Sequence, residues 1–141
     1  MFLTSLIILL KKQLINPKKV YSIDNGLSNV NSASFSADRG RMLENIVFLQ
    51  LRRKYKAIFY FKEDNECDFL VKGRNKIISA IKVCYELHED NKKSEIDGLL
   101  NPLSEFNLEN GLILTYNQED EFKINGKVLT VKPAWKWLSE T

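Results

Sequence analysis

Three strand-like segments between residues 57 and 87, followed by one helix and one wholly apolar segment, constrain this chain more than any other feature. Ala57–Lys62 (AIFYFK) is aromatic and rich in β-formers, and Glu63-Asp64-Asn65 ends it with a turn. Glu66–Lys72 (ECDFLVK) alternates, which places Glu66, Asp68 and Leu70 on one face and Cys67, Phe69 and Val71 on the other. Gly73-Arg74-Asn75 makes a hairpin loop, and Lys76–Leu87 (KIISAIKVCYEL) reads as a long third strand. On that strand Ala80, Lys82, Cys84 and Glu86 share a face, opposite Ile81, Val83 and Tyr85. The register then puts Cys67 and Cys84 on opposite faces of adjacent strands, with no disulfide between them.

A polar stretch, Glu89–Ser94, leads into a helix reaching about Phe106, with Ile96, Leu99, Leu100 and Leu103 on one stripe. Pro102 is expected to kink or split that helix, because it lacks the N–H donor and crowds the preceding turn. Gly111–Tyr116 (GLILTY) is continuously apolar, the pattern of a strand buried on both faces. Glu119–Ile124 and Lys127–Val131 flank Asn125-Gly126, a type I′ hairpin signal. Pro133 opens a short tail, AWKWL, whose Trp135 and Leu138 are expected to dock on the core.

Before these strands the spacing of Leu43, Val47, Gln50 and Leu51 predicts a helix over Arg39–Lys54, widened by Ile46 and Phe48 and capped by Ser36 or Asp38. Glu44 falls on its apolar stripe, where a carboxylate costs free energy unless it is paired, reaches solvent or binds something. Val20–Ile23 reads as a short strand closed by Asp24-Asn25-Gly26, and residues 28–37 as a loop. The element order implies an α/β fold with a mixed β-sheet flanked by helices and an extra C-terminal hairpin. A length of 141 residues fits one domain over 1–141.

Composition removes several classes of function. Cys67, Cys84 and the lone His88 cannot supply a structural zinc site, and neither GxxxxGK[ST] nor GxGxxG occurs. Two unlinked cysteines point to a reducing, cytoplasmic setting. Met1–Leu10 (MFLTSLIILL) is apolar, but about 20 residues are needed to span a bilayer. Lys11 and Lys12 follow this run where a signal peptide would carry its charge first, so it is expected to be a core or interface segment, with no membrane partner. The formal net charge of +3 conceals an asymmetry: residues 1–62 carry eleven Lys and Arg against three acids, net +8, and residues 63–141 carry ten against fifteen, net −5. A basic front half suits nucleic acid or an acidic partner; a solvated surface of uneven sign is the alternative.

The segments NPKKVYSIDNGL, DRGRMLENIVFLQLRRK, ECDFLV and GLILTY…VKPAWKWL together resemble one family. It is the domain of unknown function that follows the AAA-type ATPase module in a group of archaeal and bacterial ATPases, related to the restriction-endonuclease-like, PD-(D/E)XK, fold. The resemblance covers about Lys11 to Leu138 and excludes Met1–Leu10; the sequence itself contains no ATPase module. It implies that the first helix supplies a Glu, the second strand an Asp and the third strand Glu-x-Lys, the carboxylates holding Mg²⁺ to polarise a phosphate and activate water. Carried over by position, Glu44 matches the helix acid and Asp68 the strand acid, with Glu66 beside it. Lys82 stands at the Glu position and Cys84 at the Lys position. A cation there opposes metal binding and suits an ion pair with Asp68.

The resemblance therefore implies a degenerate nuclease-fold domain that binds rather than cleaves, with no metal or other cofactor. DNA is the expected partner, through Arg39, Arg41, Arg52 and Arg53 around the first helix. The alternatives are an active endonuclease or resolvase that uses Mg²⁺ held by Asp68, Glu66 and Glu86 with Glu44, and a structural fragment that assembles with its own copies or an ATPase partner.

Overall fold

A computed structural model describes residues 35–62 and 65–141. The apolar run Met1–Leu10, the strand expected at Val20–Ile23 and most of the expected loop lie outside the described residues. The described chain runs α1 (Phe35–Lys54), β1 (Ile58–Lys62), β2 (Glu66–Lys72), β3 (Ile77–Val83), α2 (Lys92–Glu105), β4 (Asn110–Thr115), β5 (Asp120–Ile124), β6 (Lys127–Pro133) and α3 (Ala134–Glu140). The strands form one six-stranded sheet in the order β1-β2-β3-β4-β6-β5. β1, β2 and β3 form an antiparallel meander, β4 lies parallel to both β3 and β6, and β5 closes one edge antiparallel to β6. This is the mixed sheet, flanked by helices and extended by a C-terminal hairpin, that the element order implies.

Each face of the sheet carries its own core. On one side α2 lays Ile96, Leu99 and Leu103 over Leu70, Ala80, Ile113 and Leu129. On the other, Val47 and Leu51 of α1 and Trp137 of α3 cover Phe69, Val71, Ile81 and Leu114. Being covered on both faces is why β4 is apolar at every central position, with Ile113 and Leu114 fully buried. The β5–β6 turn places Asn125 at φ 53° and Gly126 at φ 76°, the left-handed pair that a type I′ turn requires.

The structure corrects the sequence-based expectations at five places. First, α1 begins at Phe35, so Ser36 and Asp38 lie inside the helix rather than capping it at Arg39. Second, β3 ends at Val83. Cys84 and Tyr85 each keep one backbone bond to the β4 side, through Leu114 and Tyr116, and the chain then turns away. Glu86 is therefore not on the strand face shared by Ala80 and Lys82. Third, α2 passes through Pro102 unbroken, and Phe106 N–H reaches the Pro102 carbonyl. Pro102 is itself buried beside Leu99 and Leu103, so packing holds the helix across one missing hydrogen bond. Fourth, α3 buries Trp137 and leaves Trp135 60% exposed. The sheet takes the stripe carrying Ala134 and Trp137, and Leu138 packs half-buried beside them, so the expected docking holds for Leu138 and not for Trp135.

The fifth correction concerns β2. Phe59 pairs with Leu70 and Phe61 with Cys67, so Asp68 and Phe69 together oppose Tyr60. This is a β-bulge, which inserts one residue and breaks the alternation of faces. Cys67 consequently packs in the same buried cluster as Ala80 and Cys84, not on an opposite face. Both thiols are free; Cys67 Sγ lies 3.5 Å from the Ile81 carbonyl oxygen.

Gly98 sets how closely α2 approaches the bulged strand. A Cβ at this position would collide with the Glu66 carbonyl oxygen, a backbone atom that cannot swing aside. Gly98→Ala should gain about 1 kcal/mol of helix propensity, yet overpacking at a fixed backbone typically costs about 1–3 kcal/mol. We expect a net loss of stability in chemical denaturation; a more stable Gly98→Ala variant would show that α2 shifts freely on the sheet.

Candidate functional site: an ion-paired cleft at the ends of the parallel strands

The β2 bulge and the early end of β3 open the sheet at one place. Where the two strands diverge, the Val83 N–H donates to the Asp68 carboxylate at 2.7 Å instead of to a β2 carbonyl. A buried donor left by the diverging strands is thus satisfied by a side chain. Glu66 is directed to the other neighbouring strand, where the Tyr60 hydroxyl donates to its carboxylate at 2.5 Å. The expectation that Glu66 and Asp68 act side by side therefore fails at the bulge: one engages β1 and the other β3.

Lys82 lies at the centre of the opening. Its ammonium donates to the Glu66 carbonyl oxygen at 2.8 Å. It lies 3.1 Å from Glu95 and 3.9 Å from Asp68, and its side chain is only 11% exposed. Burial alone would favour the neutral amine, but the carboxylates of Asp68 and Glu95 outweigh it and raise the Lys82 pKa above its ordinary value. Lys82 is thus a charged residue held between two acids. The Asp68–Lys82 pair expected from the sequence forms, while the nearer acid, Glu95 of α2, was not expected. A signal for it was available: Glu95 precedes Leu99 by four residues, on the buried stripe of its helix.

Cys84 follows where β3 ends. Its thiol is directed at the Glu86 carbonyl oxygen at 3.1 Å, and Asn91 Nδ2 lies 3.6 Å from the sulfur. Burial, reinforced by the charge of Glu95, pushes the thiol up to about 12. A thiol held protonated at neutral pH is a weak nucleophile, because the thiolate is the reactive form.

Beyond these residues lies a cavity of about 680 Å³ between the N-terminal part of α1 and the start of α2. Arg39, Arg41 and Glu44 line it from α1; Cys84, Tyr85 and Glu86 line it from the segment after β3; His88, Asn91 and Glu95 complete it. It sits beyond the carboxyl end of β3, beside its parallel partner β4, the usual place for ligands in open α/β sheets. The structure thus brings Glu44, Glu86 and Glu95 to one cavity beside the Asp68–Lys82 pair. Among the described residues no three His, Cys, Asp or Glu side chains are placed to hold a metal ion together.

The four arginines do not form one patch. Arg39 and Arg41 line the cavity, and Arg39 donates to the Tyr85 hydroxyl at 2.8 Å. Arg52 and Arg53 are eleven to fourteen residues further along α1, about 17–21 Å away at 1.5 Å per residue. Arg52 there donates to the Lys56 carbonyl at 2.8 Å. No helix among the described residues is long and apolar enough to cross a membrane.

A mixed sheet covered by helices on both faces, opened at one strand end into a charged cleft, defines an α/β domain with a candidate site at that opening. The chain belongs to the family described as a domain of unknown function, DUF4143, whose model matches residues 39–137. It is also 41% identical over 138 residues to an uncharacterised protein of Methanocaldococcus jannaschii, a match covering 90% of this chain and 30% of that relative. The chain thus spans under a third of the length of the curated relative it matches.

Proposed function

We propose that this domain is a catalytically degenerate member of the restriction-endonuclease-like fold, that it acts as a nucleic-acid-binding module, and that it works as part of a longer ATPase-type protein. The observation that carries the proposal is Lys82. A metal-dependent nuclease of this kind needs carboxylates converging on a divalent cation. Here an ammonium lies between Asp68 and Glu95 and stands where a divalent cation would have to enter. The order helix, three antiparallel strands, helix, parallel strand supports the fold assignment. The arginines of α1 supply the phosphate contacts, and such contacts position a duplex without reading its sequence. The greater length of the Methanocaldococcus relative supports attachment to further domains.

Two measurements test this. Plasmid DNA incubated with Mg²⁺ or Mn²⁺ should remain uncut; cleavage that disappears in Asp68→Ala would overturn the degenerate assignment in favour of an active endonuclease. Fluorescence anisotropy with duplex DNA should show salt-sensitive binding. The double substitution Arg52→Ala/Arg53→Ala should weaken that binding and flatten the slope of log K against log salt by roughly 0.9 for each phosphate no longer neutralised. Unchanged affinity and slope would exclude this end of α1 from the interface.

A further inference from the structure

The cavity continues onto the surface as a row of aromatic and basic side chains. The Tyr85 and Tyr116 rings stack with centroids 4.9 Å apart and planes 24° from parallel. The Arg39 guanidinium lies over the Tyr85 ring, 5.6 Å from its centroid. Tyr116 is 57% exposed although its ring is fixed on Tyr85, and the Tyr116 N–H also donates to the Tyr85 carbonyl at 3.0 Å. The next residue, Asn117, accepts from the Trp135 indole N–H at 3.2 Å, which anchors a second ring that is 60% exposed. Two large rings are therefore held in place and left open to solvent, Tyr116 through its stack on Tyr85, which lines the cavity with Arg39 and Arg41, and Trp135 through Asn117.

We propose that this row is a binding platform for single-stranded nucleic acid, with unpaired bases stacking on Tyr116 and Trp135 and the backbone phosphates against Arg39 and Arg41. The inference rests on the nucleic-acid reading above and narrows it to a strand type and a surface. Bases within a duplex are already stacked on their neighbours, so exposed rings select unpaired ones. Preformed rings beside guanidinium groups are the combination by which proteins bind single strands with little regard to sequence. Glu44 and Glu86 line the same cavity, and Arg39 and Arg41 form its basic side, Arg41 lying 3.8 Å from the Asp38 carboxylate.

The test uses three labelled probes of about twelve nucleotides, within the range of known single-strand site sizes: oligothymidylate, an abasic oligomer with the same sugar-phosphate backbone, and a duplex. Oligothymidylate should bind more tightly than the abasic oligomer and should quench the fluorescence of the exposed Trp135, a quench that Trp135→Phe abolishes. Tyr116→Ala should weaken oligothymidylate binding by about ten- to a hundredfold and leave the abasic oligomer unaffected, whereas Tyr116→Phe should bind as the parent does. Because Tyr116 is exposed, its loss should not unfold the domain, which a thermal melt of the variant checks. Equal affinity for oligothymidylate and the abasic oligomer would overturn the platform while leaving backbone binding intact. Tighter binding of the duplex would do the same. Absence of binding to all three probes would overturn both the platform and the nucleic-acid reading beneath it.

Discussion

Lys82→Ala should destabilise the domain by about 3–5 kcal/mol, the usual loss when one member of a buried ion pair is removed. The substitution leaves Asp68 and Glu95 facing each other across a space filled only by methyl and water, and it deprives the Glu66 carbonyl of its donor. Urea denaturation of parent and variant measures the loss. Adding Glu95→Gln removes one of the two stranded charges, so the double variant should recover part of it. The coupling between residues sharing one such network is typically about 0.5–3 kcal/mol. A loss near zero for Lys82→Ala, or purely additive effects in the cycle, would show that the ammonium is not what holds this opening of the sheet together. Glu95→Gln alone should be milder, because the amide fills the same space and can still accept a hydrogen bond.

Alkali should weaken the fold from about pH 9 upward. Two buried groups contribute with the same sign. The Cys84 thiol ionises near 9.0 in an unfolded chain and near about 12 in the native one. Between these values the unfolded chain binds fewer protons than the folded one, so stability falls as pH rises. One such group sets a slope of up to about 1.4 kcal/mol per pH unit. Lys82, whose pKa is raised in the fold by Asp68 and Glu95 against the effect of burial, stabilises fully below its ordinary value of 10.5. That stabilisation is lost as pH climbs through the raised folded value. Thermal melts from pH 8 to pH 11, a range spanning both onsets, should show a progressive fall in melting temperature. Cys84→Ala should flatten the fall above pH 9.0 even though the missing sulfur lowers stability at neutral pH. A parent and Cys84→Ala pair with parallel pH profiles would show that the thiol is more accessible to solvent than its surroundings imply.

Much of the fold is legible in the sequence, and the particular residues show why. GLILTY announces a strand buried on both faces, and it is the sheet strand between β3 and β6, covered by α2 on one side and by α1 and α3 on the other. Asn125-Gly126 announces the turn that forms. Leu43, Val47 and Leu51 announce the buried face of α1. The candidate site is legible only in part. Asp68, Lys82, Cys84 and Glu44 can be named from position along strand and helix, and the Asp68–Lys82 pair follows from charge alone. Glu95 escapes because its partner lies thirteen residues earlier on another element, and no local period links them. Arg52 and Arg53 join Arg39 and Arg41 in the sequence by charge, yet the length of the helix separates them.

Most of the helices and strands, the order in which they follow and the identity of most of the charged groups near the opening of the sheet are already set by the amino-acid order, because they depend on spacing over a few residues. Packing in three dimensions was needed to set where the alternation of β2 slips, that β3 stops before Glu86, that α2 runs through Pro102 and that Trp137 rather than Trp135 enters the core. Each of these is settled by contacts between elements remote in the chain. A register shift moves a whole set of side chains to new neighbours, and packing against a sheet outweighs a local preference of about 1 kcal/mol.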